Sequence, residues 1–177
     1  MRSLYAQSLP TAHQKISADG RRLIPCDVPG PKRLGLLLLN PGFRCLTLQR
    51  IQEALNESGF LLTEQLILNV NHFLNGAEFR PGSRIGPGAI VRHPTGIVIG
   101  SGVRTGANCI FLQGVTIGER FVDERSDGLS PAIGSNVIFG ANAVVIGNIT
   151  IGDNVTVRAL SLVEHDIESP RTKVTRN

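Results

Sequence analysis

Tryptophan is absent from this chain, tyrosine occurs once and cysteine three times in 177 residues. So little aromatic surface leaves no platform for stacking bases, and the charges are dispersed. A nucleic-acid partner is therefore not expected despite a net charge of +4. Cys26, Cys45 and Cys109 are odd in number and lack metal or redox spacing. Long apolar runs are also missing, since Leu34–Leu39 is far shorter than a membrane span. Nothing ahead of it reads as a signal peptide, so the expected location is the cytoplasm. Histidine is scarce. Only His93 lies within the repeat described below, with His165 at its end, so the three convergent histidines of a zinc-dependent β-helix hydratase are not available.

What the chain has in quantity is glycine, 20 residues of it, much of it on a six-residue beat. The anchors run Ile85, Val91, then after a two-residue slip Ile99, Thr105, Phe111 and Ile117. After a ten-residue insertion they resume at Ile133, Phe139, Val145, Ile151, Val157 and Val163. The fourth residue after each anchor is often small or branched, as at Ala89, Val103, Cys109 and Val115. Neither helical periodicity nor strand alternation sustains such a beat. A parallel β-helix does, because each coil buries its apolar side only by stacking on the next. Glycine commonly follows the anchor, where a corner calls for positive φ or close backbone approach.

Ahead of the repeat the pattern is helical. Residues 1–23 show no sustained periodicity and are expected to be irregular or a short helix. Leu34–Asn40, Phe43–Leu55 and Phe60–Leu74 read as helices, the last two with apolar stripes, and Asn75-Gly76 closes them. The division is a helical preface over 1–76, a β-helix over 77–165 and a tail over 166–177. Insertions in a solenoid become loops, often on a binding face. The slip at Arg92–Gly96 and the insertion at Glu119–Ala132 are where chemistry is expected.

Five segments carry a resemblance: NPGFRCLTLQRI from Asn40, FLNGAEFRPGSRIG from Phe73, HPTGIVIG from His93, LQGVTIG from Leu112 and GANAVVIGNITIGDNVTV from Gly140. From Asp27 to Val163 the chain resembles the serine acetyltransferase branch of the hexapeptide-repeat acyltransferases. The resemblance implies a left-handed parallel β-helix behind a short α-helical preface, an exception to the right-handed crossover rule. It further implies a homotrimer with active sites between subunits, acetyl-CoA as co-substrate and no metal. His93 matches the catalytic histidine, and Glu78, fifteen residues earlier, the carboxylate that orients it. The roles make chemical sense. An alcohol attacks poorly until a base takes its proton, and a carboxylate on the far ring nitrogen fixes the tautomer. Gly118 matches a glycine near the thioester, and Ala141 and Ala159 match small residues along the pantetheine groove.

The departures concern the acceptor. Arg92 stands where the family has an aspartate for the ammonium of serine. Leu129-Ser130 stands where an Arg-His pair binds the carboxylate, and Asp27 is the candidate for a third contact. Losing charge-assisted contacts of about 1.5–3 kcal/mol each weakens binding of free serine. The expected activity is O-acetyl transfer to a sugar, saccharide or other non-serine hydroxyl, with serine acetylation in cysteine biosynthesis as the alternative. A non-catalytic scaffold is the alternative from another class. The family's closing segment is replaced by Ser169-Pro170-Arg171-Thr172-Lys173, whose cations are candidates for the phosphates of CoA.

Overall fold

The computed structural model describes residues 10–24, 27–122, 125–126 and 129–169. Cys26, Arg171 and Lys173 lie outside the described residues. Four helices precede the repeat: α1 (Ala12–Leu23), α2 (Gly30–Leu39), α3 (Pro41–Glu57) and α4 (Leu61–Asn75). Thr11 and Gln14 form a reciprocal capping box at the start of α1. Asn40 caps α3 by accepting from the Phe43 N–H at 2.9 Å. Gly76, at φ 65°, ends α4 in the left-handed conformation that stops a helix.

The helix α1 runs through a stretch without sequence periodicity, and the structure gives the reason. Its buried residues are Lys15, Asp19 and Gly20, so no apolar stripe marks it. The two apolar stripes behave differently from expectation as well. In α3 the buried set includes Gln49, Arg50 and Gln52 beside Phe43, Cys45 and Leu46, while Ile51 is exposed. In α4 the buried residues are Glu64, Leu68, Asn71 and Asn75. Its predicted stripe points outward, with Leu62 90% and Phe73 87% exposed. Polar contacts hold α4 to α3 instead: Asn71 Nδ2 donates to the Cys45 carbonyl at 3.0 Å, and Asn56 Nδ2 to Glu64 Oε2 at 2.8 Å.

One buried cation joins this preface to the repeat. Arg50 is 0% exposed; its Nε meets Asp19 Oδ2 at 3.1 Å, and its Nη atoms donate to the carbonyls of Ile85 and Gly86. Asp19 Oδ1 in turn accepts from the Ala89 N–H at 2.9 Å. α1, α3 and the first coil are thereby tied at one point. Burial pushes the Asp19 carboxyl above its ordinary range, against the pull of Arg50 and of the Ala89 and Gly88 N–H groups.

From Glu78 the chain winds through three parallel ladders that close into a left-handed parallel β-helix. The first face stacks residues 78–79, 98–99, 116–118, 144–146 and 162–163. The second stacks 90–91, 110–111, 138–139 and 156–157. The third stacks 104–105, 132–133 and 150–151, extended by bridges from Arg84 to Arg104 and from Ile151 to Ile167. Eleven of the twelve anchors are buried, and Phe111 and Phe139 stack with ring centroids 5.2 Å apart. The remaining anchor, Thr105, accepts through its hydroxyl from the Gly86 N–H at 3.1 Å. The ladder reaches Ile167, two residues beyond the boundary expected at 165.

Glycine after the anchor serves close approach and not positive φ. A Cβ on Gly106 or Gly134 would fall within 3 Å of backbone in the coil above, and neither has positive φ. The left-handed slot is the third residue after the anchor: Gly88, Gly102, Asn108, Gly114, Asn136, Asn142, Asn154 and Leu160. Within the insertion, 121–122 pairs antiparallel with 125–126.

Replacing Arg50 by alanine strands Asp19 in a dry site, and a loss of about 3–5 kcal/mol is expected. Chemical denaturation of the parent and Arg50→Ala proteins measures it. A change under 1 kcal/mol would mean that the preface docks without this contact.

Candidate active site

Arg92 is the last rung of the second face in the first coil, its N–H donating to the Phe111 carbonyl at 2.8 Å. The chain then turns through His93, which is exposed and at φ 56°. Histidine tolerates this left-handed region better than branched residues do, so the slip is a turn built around the imidazole. Pro94 is buried and holds the turn to the coil. Thr95 stacks over Gly76, and its carbonyl accepts from the Gly114 N–H at 3.0 Å.

That last contact starts a column along one edge of the β-helix. Asn142 N–H donates to the Gln113 carbonyl, and Leu160 N–H to the Ala141 carbonyl, each at 2.9 Å. His93 therefore lies beside the lowest rung of an edge formed by Thr95, Gln113, Ala141 and Ala159. Gln113 Oε1 is buried with no hydrogen-bond partner among the described residues.

Glu78 opens the first face one rung below, paired with Val98. Phe79 points into the core, so Glu78 points out of the face. Its carboxylate meets Arg80 Nη1 at 3.0 Å. Among the described residues no hydrogen bond joins Glu78 to His93. Gly118 lies at the other end of this face, its carbonyl accepting from the Gly147 N–H at 3.1 Å. Ser130 shares that far edge, where its hydroxyl donates to the Ser101 carbonyl. The predicted residues thus divide between two edges of one face: His93, Arg92, Ala141 and Ala159 on the first, Gly118 and Ser130 on the second. Asp27 belongs to neither edge; it is exposed in the turn before α2.

Other groups are unsuited to chemistry. Burial pushes the Cys45 thiol up to about 12 and raises that of Cys109, so both stay protonated and unreactive. No group of three His, Cys, Asp or Glu able to hold a metal occurs among the described residues. A cavity of about 650 Å³ opens between the start of α1, the end of α3 and the corner at Gly86 and Gly106. None of the predicted site residues lines it; Lys15, Glu53, Arg84 and Glu57 pair with one another there, and His13 and Arg104 line it as well.

Comparison with known proteins agrees with this architecture. Residues 83–122 match the hexapeptide repeat of succinyl-transferase, and residues 130–165 the bacterial transferase hexapeptide of six repeats. A serine acetyltransferase of Synechococcus elongatus is 35% identical over 159 residues, 90% of this chain and 64% of the relative. The crystal structure of Neisseria gonorrhoeae serine acetyltransferase superposes with a TM-score of 0.79 at 30% identity, over 89% of this chain and 59% of that one. The soybean serine acetyltransferase apoenzyme gives 0.80 at 29%, over 92% and 65%. The chain is thus similar to serine acetyltransferases and carries hexapeptide repeats. The chain spans roughly three-fifths of the length of these relatives.

Glycines on the two edges of this serine acetyltransferase-like coil are not equivalent. A Cβ on Gly140 would be driven into the Ala159 backbone, whereas one on Gly118 would meet only the Gly100 Cα at 3.7 Å. Gly140→Ala is expected to cost about 1–3 kcal/mol and Gly118→Ala less than about 0.5 kcal/mol. Thermal and urea unfolding of the two variants test this; equal losses would contradict the packing described.

Proposed function

We propose that this protein is an acetyl-CoA-dependent O-acetyltransferase whose acceptor is L-serine. The observation that carries the proposal is the exposed His93 turn at the end of an edge of small residues, in a chain whose relatives are serine acetyltransferases. The saccharide acceptor expected from Arg92 and Leu129-Ser130 finds no support among the relatives described above, and the serine alternative takes its place.

In this reading neutral His93 removes the proton of the acceptor hydroxyl as its oxygen attacks the thioester carbonyl. The imidazolium then returns the proton to the departing thiolate, giving O-acetylserine and free CoA. Glu78 is the positioning residue. Its pairing with His93 requires the carboxylate to swing from Arg80, and catalytic hydrogen bonds that are open in the free enzyme commonly tighten on binding. Ala141 and Ala159 offer a floor without bulky side chains along which the pantetheine arm lies, and Gly118, on the opposite edge of the face, lines the thioester end from a neighbouring subunit. The 650 Å³ cavity is set aside because none of His93, Ala141 and Ala159 lines it, whereas an edge that a neighbour completes is open in a single chain.

The outward stripe of α4 supports the assembly. Leu62, Leu66, Phe73 and Leu74 are exposed there, and α2 buries none of its residues, with Leu34, Leu36, Leu38 and Leu39 all exposed. Apolar surface of this extent marks an interface. The proposed occupant is a second copy, in a homotrimer that places the site between subunits.

Thiol release from acetyl-CoA tests the function, with L-serine, homoserine, sugars and nucleotide sugars as acceptors. The parent protein is expected to turn over L-serine, and His93→Ala to lose about 10²–10⁴-fold in kcat. Release with a saccharide alone would overturn the serine acceptor. Equal behaviour of parent and His93→Ala with every acceptor would leave a scaffold.

A further inference from the structure

An amino-acid acceptor carries a carboxylate to the site, and a carboxylate brought out of water beside a base requires a cation. The far edge cannot supply one at 129–130, where Leu129 is apolar and the Ser130 hydroxyl is spent on the Ser101 carbonyl. Arg104, exposed beside Pro131, projects from the third face and lines the cavity at Gly86 and Gly106. The cations nearer the first face are engaged. Arg80 is held by Glu78 at 3.0 Å, Arg44 by Asn75 at 3.2 Å and Arg120 by Glu164 at 3.5 Å.

Arg92 is different. It is exposed, and no hydrogen bond or ion pair among the described residues takes up its guanidinium. The preceding Val91 is buried in the core, so alternation turns Arg92 outward, and its N–H bond to Phe111 fixes the backbone from which it projects. The next residue is His93 itself. Arg158 is the other exposed cation of this column. The rungs Arg92 to Phe111, Leu112 to Phe139 and Gly140 to Val157 place it three strand spacings away, about 14 Å. That distance is too long to serve an acceptor whose hydroxyl and carboxylate are three bonds apart. The first turn of α3 also presses on this strand, a Cβ at Gly42 falling on the Val91 carbonyl, and a helix start adds potential of the same sign.

We propose that Arg92 is the specificity-determining residue that binds the carboxylate of the acceptor, as a planar fork beside the hydroxyl that His93 deprotonates. The assignment rests on the serine reading above. Charge recognition in this chain is accordingly relocated: the cation that reads the carboxylate adjoins the base and is not in the insertion.

L-serine and L-serinamide, which differ only at the carboxyl group, a carboxylate in one and a neutral amide in the other, separate the possibilities. For the parent, kcat/KM with L-serinamide is expected to be roughly 10- to 100-fold below that with L-serine. In Arg92→Ala the KM for L-serine rises by a similar factor, kcat changes far less, and the preference over serinamide disappears; Arg92→Lys restores part of it. KM for acetyl-CoA and the unfolding midpoint stay at parental values, which separates lost recognition from lost structure. Preference for serine retained in Arg92→Ala would overturn the assignment alone. No His93-dependent turnover of serine by the parent would overturn the acceptor reading, and this assignment with it.

Discussion

Successive coils stack backbone on backbone at the spacing of paired strands, and most features of this molecule follow from that contact. At the corners the approach is so close that Gly86, Gly106, Gly134 and Gly140 have no room for a Cβ. Along the faces the same stacking aligns anchors into continuous columns, Ile99 beside Ile117 beside Val145 beside Val163. A column leaves two kinds of freedom. Side chains pointing out of a face can vary, and a corner can be lengthened without disturbing the ladder. Both lengthened corners of this chain border the first face, and apart from Asp27 the residues singled out for chemistry lie on that face or its edges.

The preface obeys a different rule. Its interior is partly ionic, with Arg50 and Asp19 tying two helices to the first coil, while its most apolar surfaces on α2 and α4 face outward. Buried ion pairs contribute little net stability against apolar replacements but strongly penalise loss of one partner. Here the pair fixes where the helices sit on the repeat. The start of α3 is thereby held against the strand that carries Arg92, so the preface positions the edge on which acyl transfer is proposed.

The repeat was readable because its period belongs to no other architecture, and all three internal frames survive in the structure. The helices α2, α3 and α4 were also legible from their composition and end signals. Their orientation was not. An apolar stripe predicts which side of a helix avoids water, but Phe73 and Leu62 lie on the surface of the single chain. For α1 the sequence signal lay in Thr11 and Gln14 and not in periodicity, because the helix buries Asp19 and Lys15. For the site, the resemblance paired Glu78 with His93, yet the rotamer that turns Glu78 to Arg80 depends on a neighbour two residues on. Ser130 illustrates the limit most clearly: as a letter it marked a missing cation, and in the fold its hydroxyl joins two coils.

The central claim is that the edge running from His93 past Gln113, Ala141 and Ala159 is where the acyl donor lies. A crystal structure of the protein with CoA bound tests it most directly. The account predicts the sulfur beside the His93 ring, the pantetheine arm along Ala141 and Ala159, and a second subunit closing the groove. CoA seated elsewhere, above all in the cavity between α1 and the Gly86 corner, would contradict it.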